Sequence, residues 1–386
     1  MKPIMKSTLN SMKKPNRGPF VVRILLFALL VLLLPTHAWE AAATASAKMA
    51  TAAAPASIMP PLPLTNNASQ RVASLVLHNL TAQFQQAKQA TSTAAPLFSF
   101  SVLSDIHVGA KDTDSQERFR TALADHMNIR PDSKLMVLNG DLTNGINNDY
   151  KSLFNIMYEF KLPPVHATMG NHEYYGLWET KQEDLDTSKL SKDWSSGQAI
   201  NSFEQMFNYK KPYHELVMED YHFLFLSGEA YRDVDATVKE DAYLSPEQLA
   251  WFKDKLALAS TADADKPIFV FLHQPLVHTL GGSDQELGVV QHEELRAILN
   301  QYPNVVFFTG HTHWNLETTE QIKQLTFLAV GSSSVREVWN ANNEPEGSAA
   351  SQSLVVDIFA DRIAIQGREH SDKKWLGAPF VKTYRE

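Results

Sequence analysis

Apolar, strand-forming runs that stop at a metal-binding residue type constrain this 386-residue chain more than any other feature. Residues 97–103 run into Ser104-Asp105-Ile106-His107, and 134–138 into Asn139-Gly140-Asp141. Residues 164–168 run into Met169-Gly170-Asn171-His172-Glu173, 267–272 into His273, and 305–309 into Gly310-His311-Thr312-His313. Helical stretches at 115–128 and 149–160 separate the first three runs. Strand, helix, strand, helix, strand, with polar residues at each strand end, predicts an α/β sheet whose ligands sit beyond the carboxyl ends of its strands.

Further along, Ser245 and Pro246 cap and open a helix through residue 258. Strands are expected at 222–226, 326–330, 353–359 and 362–366, more strands than helices, which implies a second sheet packed on the first. Residues 176–220, a mixture of Trp, Tyr, Lys and Asp, read as a loop-rich insertion near the mouth of the site.

The chain has no cysteine. Any metal must therefore be held by His, Asp, Glu or Asn, donors that suit hard or borderline divalent ions. Asp105 and His107 are two apart, as are His311 and His313; in extended backbone each pair would point to one side and grip a common site. Asp141 follows a glycine that permits close backbone approach. Any one of these segments alone has a bland reading as a turn or a strand rim. His166, His222, His278 and His292 are given that reading, as core edge or surface.

The N-terminus has a different character. Six Lys and Arg residues precede the first acid, Glu40; an apolar run follows at 24–34, and Pro35-Thr36-His37-Ala38 ends in a small residue. This is the layout of a secretory signal over residues 1–38, and eleven apolar residues are too few to span a bilayer. Residues 39–96 read as an Ala- and Pro-rich spacer with an amphipathic helix at 70–88, and 97–386 as the catalytic domain. Without residues 1–38, 29 basic residues face 43 acidic ones, and a surface that acidic disfavours nucleic acid and anionic lipid as partners. A secreted or cell-envelope protein with no stable membrane span is expected; the sequence leaves oligomeric state open.

With Asp105-Ile-His107, Gly140-Asp141, Gly170-Asn171-His172-Glu173, His273 and Gly310-His311-Thr-His313 in order, the chain resembles the calcineurin-like metallophosphoesterases. The resemblance implies a four-layer α/β/β/α sandwich of two mixed β-sheets flanked by helices. It implies two divalent metal ions, Mn, Fe or Zn, one held by Asp105, His107 and His313 and the other by Asn171, His273 and His311. Asp141 would bridge them, and His172 would be the catalytic group beside the phosphate. Such a centre can hold a hydroxide for in-line attack at phosphorus.

Departures from subfamily patterns narrow this. The second motif continues Leu142-Thr143-Asn144, without the acidic and basic pair of phosphoprotein phosphatases, which puts an Asp partner for His172 from this loop in doubt. His107 and Asn144 stand where purple acid phosphatases have Gly and a metal-binding Tyr, which argues against an iron–tyrosinate centre. The Asp-x-His form is closer to bacterial phosphodiesterases of the cyclic-nucleotide type. The expected activity is therefore hydrolysis of a small phosphodiester, with a phosphomonoester as the alternative; a nuclease or a non-catalytic binding protein accounts for less of the sequence. Arg336 and Lys210-Lys211 are candidate basic residues for a pocket, although each also reads as surface.

Overall fold

Alternate residues along the strands are sent to different cores, and that alternation builds the layers. In β1 (Phe98–Leu103), Phe98, Phe100 and Val102 enter a central core while Leu103 joins an outer one. In β2 (Leu135–Asn139), Leu135 and Val137 face inward and Met136 and Leu138 outward. Phe223 and Phe225 of β5 (Tyr221–Phe225), and Phe269 and Phe271 of β6 (Ile268–Phe271), meet them from the other side. Phe100 makes edge-on contacts with Phe223 and Phe269 at 5.3 and 5.1 Å between ring centroids. Apolar area and ring geometry both favour this join between two sheets.

The computed structural model describes residues 94–179, 185–285, 288–347 and 349–385. The expected signal, spacer and helix at 70–88 lie outside the described residues. No described helix is long and apolar enough to cross a membrane.

The first sheet also contains β3 (Val165–Thr168), β10 (Gln352–Ile358), β11 (Arg362–Glu369) and β12 (Lys374–Thr383), in the order β12-β11-β10-β1-β2-β3. The second adds β4 (His214–Met218), β7 (Val305–Thr309), β8 (Ile322–Gln324) and β9 (Leu328–Gly331), in the order β4-β5-β6-β7-β9-β8. The first sheet is parallel in one half, β1-β2-β3, and antiparallel in the other; the second is parallel through β5-β6-β7-β9 and antiparallel at both edges.

Helices α1 (Thr113–Ile129), α2 (Asn147–Tyr158) and α3 (Ser196–Phe207) cover the outer face of the first sheet with Phe119, Leu153 and Phe203. Helices α4 (Pro246–Ala262) and α5 (His292–Leu299) cover the second with Phe252, Leu256 and Leu295. The expected four layers, helices, sheet, sheet and helices, are all present.

Residues 176–220 also carry regular elements that the sequence did not single out: the end of a 3-10 turn (His172–Trp178), then α3 and β4. Ser195 caps α3 by accepting from Gln198 N, and Asn208 closes it in the left-handed region. Asn tolerates that conformation better than most residues.

The ends of the two sheets are stitched side by side. Asn139 Nδ2 donates to the carbonyls of Leu272 and Phe308, both at 3.3 Å, and the Asn139 carbonyl accepts from His273 Nδ1 at 2.8 Å. One buried amide at the end of β2 thus holds the ends of β6 and β7 against the first sheet.

Candidate metal centre

The loops after five strands meet at these stitched ends. Asp105 N donates to Gly140 O (3.1 Å), and Ile106 N and His107 N both donate to Asp141 O (2.8 and 2.9 Å). Gly310 N donates to His273 O at 2.8 Å. Glycine is required where the loops cross. A Cβ on Gly170 would lie 2.1 Å from Asp141 Oδ1, and one on Gly310 would lie 1.8 Å from Ser104 Oγ.

The local backbone is not the extended one expected from the two-residue spacing. Asp105, His107, Asp141, His311 and His313 all have positive φ, between 48° and 70°. This left-handed region costs a non-glycine residue roughly 1–3 kcal/mol. Consecutive sharp turns, rather than the alternation of a strand, aim both members of each pair at one point. Five strained ligand-type residues in one place require a surrounding fold that overdetermines them, which the loop-to-loop hydrogen bonds supply.

Three overlapping groups of side chains result: Asp105, His107 and His313; His107, Asp141 and His172; and Asp141, His273 and His311. Within each group the ligand atoms lie within 4.8 Å of one another. Asp141 belongs to two of them. Its Oδ2 is 3.1 Å from His273 Nε2, 3.8 Å from His107 Nε2 and 3.9 Å from His172 Nε2. His313 Nε2 is 3.0 Å from Asp105 Oδ1 and 3.4 Å from His107 Nε2.

The donors fit divalent ions. Asn171 Oδ1 is buried and makes no hydrogen bond among the described residues, and the buried His273 Nε2 lies beside two carboxylate oxygens, Asp141 Oδ2 at 3.1 Å and Asp105 Oδ1 at 3.7 Å. A buried polar atom without a partner is costly, and a cation is the partner that these lone pairs suit. The proton on His273 is placed by the Asn139 carbonyl, which can only accept, so Nδ1 donates and Nε2 faces the cluster.

Charges in the cluster are strongly coupled. Burial opposes a charge on His273, but Asp141 and Asp105 outweigh it and raise its pKa to about 10. Burial works against ionisation of Asp105 too; His313 and His273 overcome it and lower that carboxyl to about 2. His107 goes the other way, held well below the usual histidine range by burial and by His172. These carboxylates favour positive charge at the cluster, and a metal ion must displace a proton to take that place.

Three further residues support the candidate ligands. Glu173 is fully buried and accepts from four backbone N–H groups: Asp141 (2.9 Å), Leu142 (2.8 Å), Thr143 (3.1 Å) and Gly170 (2.7 Å). It clamps the Asp141 loop to the Asn171 loop. Burial, with Asp141 close by, raises its pKa to about 7, against the pull of the Gly170 and Thr143 N–H groups. Glu240 accepts from Asn171 Nδ2 at 3.1 Å, which turns Asn171 Oδ1 the other way, and Arg232 and Tyr231 hold Glu240 in turn. Asn144 Oδ1 is 3.1 Å from His172 Nδ1. The doubt over an Asp partner for His172 was sound: the second-motif loop does supply a partner, but it is an amide.

His172 also stacks on Tyr175, with ring centroids 3.8 Å apart. Arg336 N donates to Asp105 O at 3.0 Å, but its guanidinium pairs with Asp112 and Asp114. Lys211 pairs with Glu247 and, with Lys210, lines a different cavity. His166 and His222 are structural, hydrogen-bonded to His214 and Glu215 at 2.9 and 2.8 Å.

The statistical model of the calcineurin-like phosphoesterase family matches residues 98–315, all five loops included. A probable glycerophosphodiester phosphodiesterase, GpdQ, of Arcobacter nitrofigilis is 26% identical over 223 residues, covering 55% of this chain and 70% of that protein. Among solved structures, a dimetal phosphatase from Danio rerio is 14% identical with a TM-score of 0.54, covering 75% of this chain and 99% of that one. Purple acid phosphatase PPD1 from yellow lupin (Lupinus luteus) seeds is also 14% identical, with a TM-score of 0.52, covering 76% of this chain and 55% of that one. The chain belongs to the calcineurin-like phosphoesterase family as a metal-dependent phosphoric ester hydrolase of the dinuclear divalent-metal type, and its clustered His and Asp residues can hold such ions.

Proposed function

We propose that the protein is an exported phosphodiesterase acting on a small phosphodiester, with residues 97–386 as its catalytic domain. The observation that carries the diester reading is the similarity to the probable glycerophosphodiester phosphodiesterase over 223 residues. In this reading Asp105, His107 and His313 hold one ion and Asn171, His273 and His311 the other, with Asp141 shared. Two such ions supply a nucleophile of lowered pKa and neutralise charge on the phosphoryl oxygens.

The chain's own residues do the rest. Glu173 keeps the Asp141 and Asn171 loops in register, and Glu240 presents the Asn171 oxygen. Asn144 fixes the His172 ring so that Nε2 faces the cluster, where it stabilises charge on the phosphate or gives a proton to the leaving oxygen. An oxygen from water bonds to phosphorus, the ester P–O bond breaks, and the alcohol departs with a proton.

The test compares bis-p-nitrophenyl phosphate with p-nitrophenyl phosphate under added Mn²⁺, before and after chelation. The diester is expected to have the higher kcat/KM by about tenfold, equivalent to about 1.4 kcal/mol, and chelation is expected to abolish both activities. A faster monoester would make the protein a phosphatase on the same centre. No turnover of either, under any divalent ion, would overturn the enzymatic assignment for this chain.

Export rests on the charged, apolar and small-residue order of residues 1–38. N-terminal sequencing of protein made from the full reading frame in a bacterial host should find a mature chain beginning near residue 39. An intact Met1 on cytoplasmic material would reject export.

A further inference from the structure

The 3-10 turn after Asn171 runs from His172 to Trp178, and its period decides which side chains meet. Its seven residues are many for a conformation that usually lasts about three or four. With three residues per turn, side chains three apart stand one above the other; an α-helix would offset them by about 60° around its axis. Three faces with three tasks result. Tyr174 and Leu177 enter the outer core of the first sheet. Glu173 clamps the Asp141 and Asn171 loops, and Gly176 on the same face passes so near Trp194 that a Cβ would lie 2.5 Å from its Nε1. His172 and Tyr175 share the third face, their rings stacked with centroids 3.8 Å apart and planes inclined by 25°.

Nothing in the chemistry at phosphorus uses the Tyr175 ring, but the imidazole beneath it needs support. Asn144 Oδ1 holds His172 Nδ1 through one contact at 3.1 Å, and Nε2 stands 3.9 Å from Asp141 Oδ2. A single hydrogen bond fixes one atom of a ring and leaves the ring free to roll about the bond. The His172 side chain is 26% exposed, so water does not resist that motion. His107 meets it edge-on, with centroids 4.3 Å apart and planes at 80°, which touches the ring without covering a face. Tyr175 covers one. Its hydroxyl adds little, because it donates to Glu240 Oε2 at a long 3.4 Å while Tyr231 and Arg232 hold Glu240 at 2.8 and 2.7 Å.

We propose that Tyr175 is a positioning residue for the reaction: its ring face sets the plane of the His172 imidazole and keeps Nε2 directed at the cluster. The inference rests on the role of His172 at the phosphate given above. Misplacing a catalytic group by about 1 Å can cost about a hundredfold in rate. An aromatic pair can favour one ring orientation by up to about tenfold, or about 1.4 kcal/mol, so the stack is strong enough to matter.

The test measures kcat and KM for bis-p-nitrophenyl phosphate with Mn²⁺-loaded protein. Tyr175→Leu is expected to lower kcat by about tenfold with KM changed less than about twofold, and Tyr175→Phe, which keeps the ring, to recover most of the loss. In a His172→Ala background, Tyr175→Leu should change kcat by less than about twofold, because the group it positions has gone. An equal fall in both backgrounds would overturn the proposal and mark the ring as general support for the site. So would wild-type kcat in Tyr175→Leu when His172→Ala is impaired. Wild-type kcat in His172→Ala would instead refute the role of His172 at the phosphate, and Tyr175 would then have nothing to position.

The His172 ring protons, followed by NMR in Zn²⁺-loaded protein, give a readout apart from turnover. Stacked on the phenol face, they should resonate upfield of their positions in Tyr175→Leu and move little in Tyr175→Phe. No difference between wild type and Tyr175→Leu would overturn the stack as the positioning device. Tyr175→Met, which fills the space without a planar face, takes the place of Tyr175→Leu if that variant melts below the assay temperature.

Discussion

Asp141→Ala is expected to lose both metal ions and to lower kcat by about a thousandfold or more, since bound metal supplies several kcal/mol of transition-state stabilisation. His107→Ala is expected to keep one ion. The difference follows from where the two side chains stand. Asp141 belongs with His107 and His172 in one group and with His273 and His311 in another, whereas both of the groups containing His107 exclude His273 and His311. The Asp141 side chain also shapes the protein directly, because Oδ1 accepts from His172 N at 2.8 Å. An alanine at φ 52° would add backbone strain of roughly 1–2 kcal/mol. Asp141→Asn separates the effects: it keeps the shape and tolerates the backbone but removes the charge. Metal content by mass spectrometry, with thermal melting to confirm folding, gives the answer. Two ions retained in both Asp141→Asn and Asp141→Ala would remove Asp141 from its bridging position.

Most of the candidate site was legible because its residues are chemically distinctive and each follows an apolar, strand-forming run. The reason first given for their convergence did not survive. Spacing of two suggested extended backbone, but positive φ at Asp105, His107, His311 and His313 shows that turns aim them. Sequence separation reveals which residues come together more readily than the backbone path that brings them there.

Glu173, Glu240 and Asn144 were harder to assign for a physical reason. They act on backbone N–H groups or on another side chain's amide or imidazole, and such partners are defined only once distant loops meet. Glu240 is 69 residues from the Asn171 it orients. No local pattern marks a residue with that task. For Glu173 a local signal existed, its position in Gly170-Asn171-His172-Glu173.

The fold divides along similar lines. Strands that send alternate residues to different cores, such as β1, β2 and β6, are plain in the run of their apolar residues. β12 was missed because Gly377 and Pro379 interrupt it and most of its side chains are exposed; edge strands tolerate both residues. α5 has eight residues, too few for helical periodicity to stand out. In α3 the signals were present, Ser195 before the first turn and Ala199, Phe203 and Phe207 on one face, but the surrounding Trp, Lys and Asp residues obscured them.

A second buried cluster, apart from the candidate metal ligands, ties α1 to the first sheet. Arg368 on β11 forms a two-pronged pair with Asp125 on α1, Nε to Oδ2 at 2.7 Å and Nη2 to Oδ1 at 2.8 Å. His370 Nδ1 approaches the same carboxylate at 3.0 Å, and its Nε2 continues through Ser353 to His126 and Ser101. Arg368 and Asp125 are 5% and 2% exposed, so neither charge can turn to water when its partner is removed. Asp125→Ala is therefore expected to cost about 3–5 kcal/mol, as removal of one partner from a buried ion pair does. In a domain of this size that corresponds to a fall in Tm of roughly 10 °C. Adding Arg368→Met should recover part of the loss, because the stranded cation goes with it. The pair also sets a pH dependence. Burial opposes ionisation of Asp125, but hydrogen bonds and charge from Arg368 and His370 prevail and hold its pKa far below the usual carboxylate range. A depressed folded-state pKa means that the contribution is complete above the unfolded value, about 4, and is lost as pH falls below it. The difference in Tm between wild type and Asp125→Ala should thus be full at pH 7 and shrink below about pH 4. A difference below about 1 kcal/mol at pH 7, or one that grows on acidification, would show that this network does not hold α1 to the sheet.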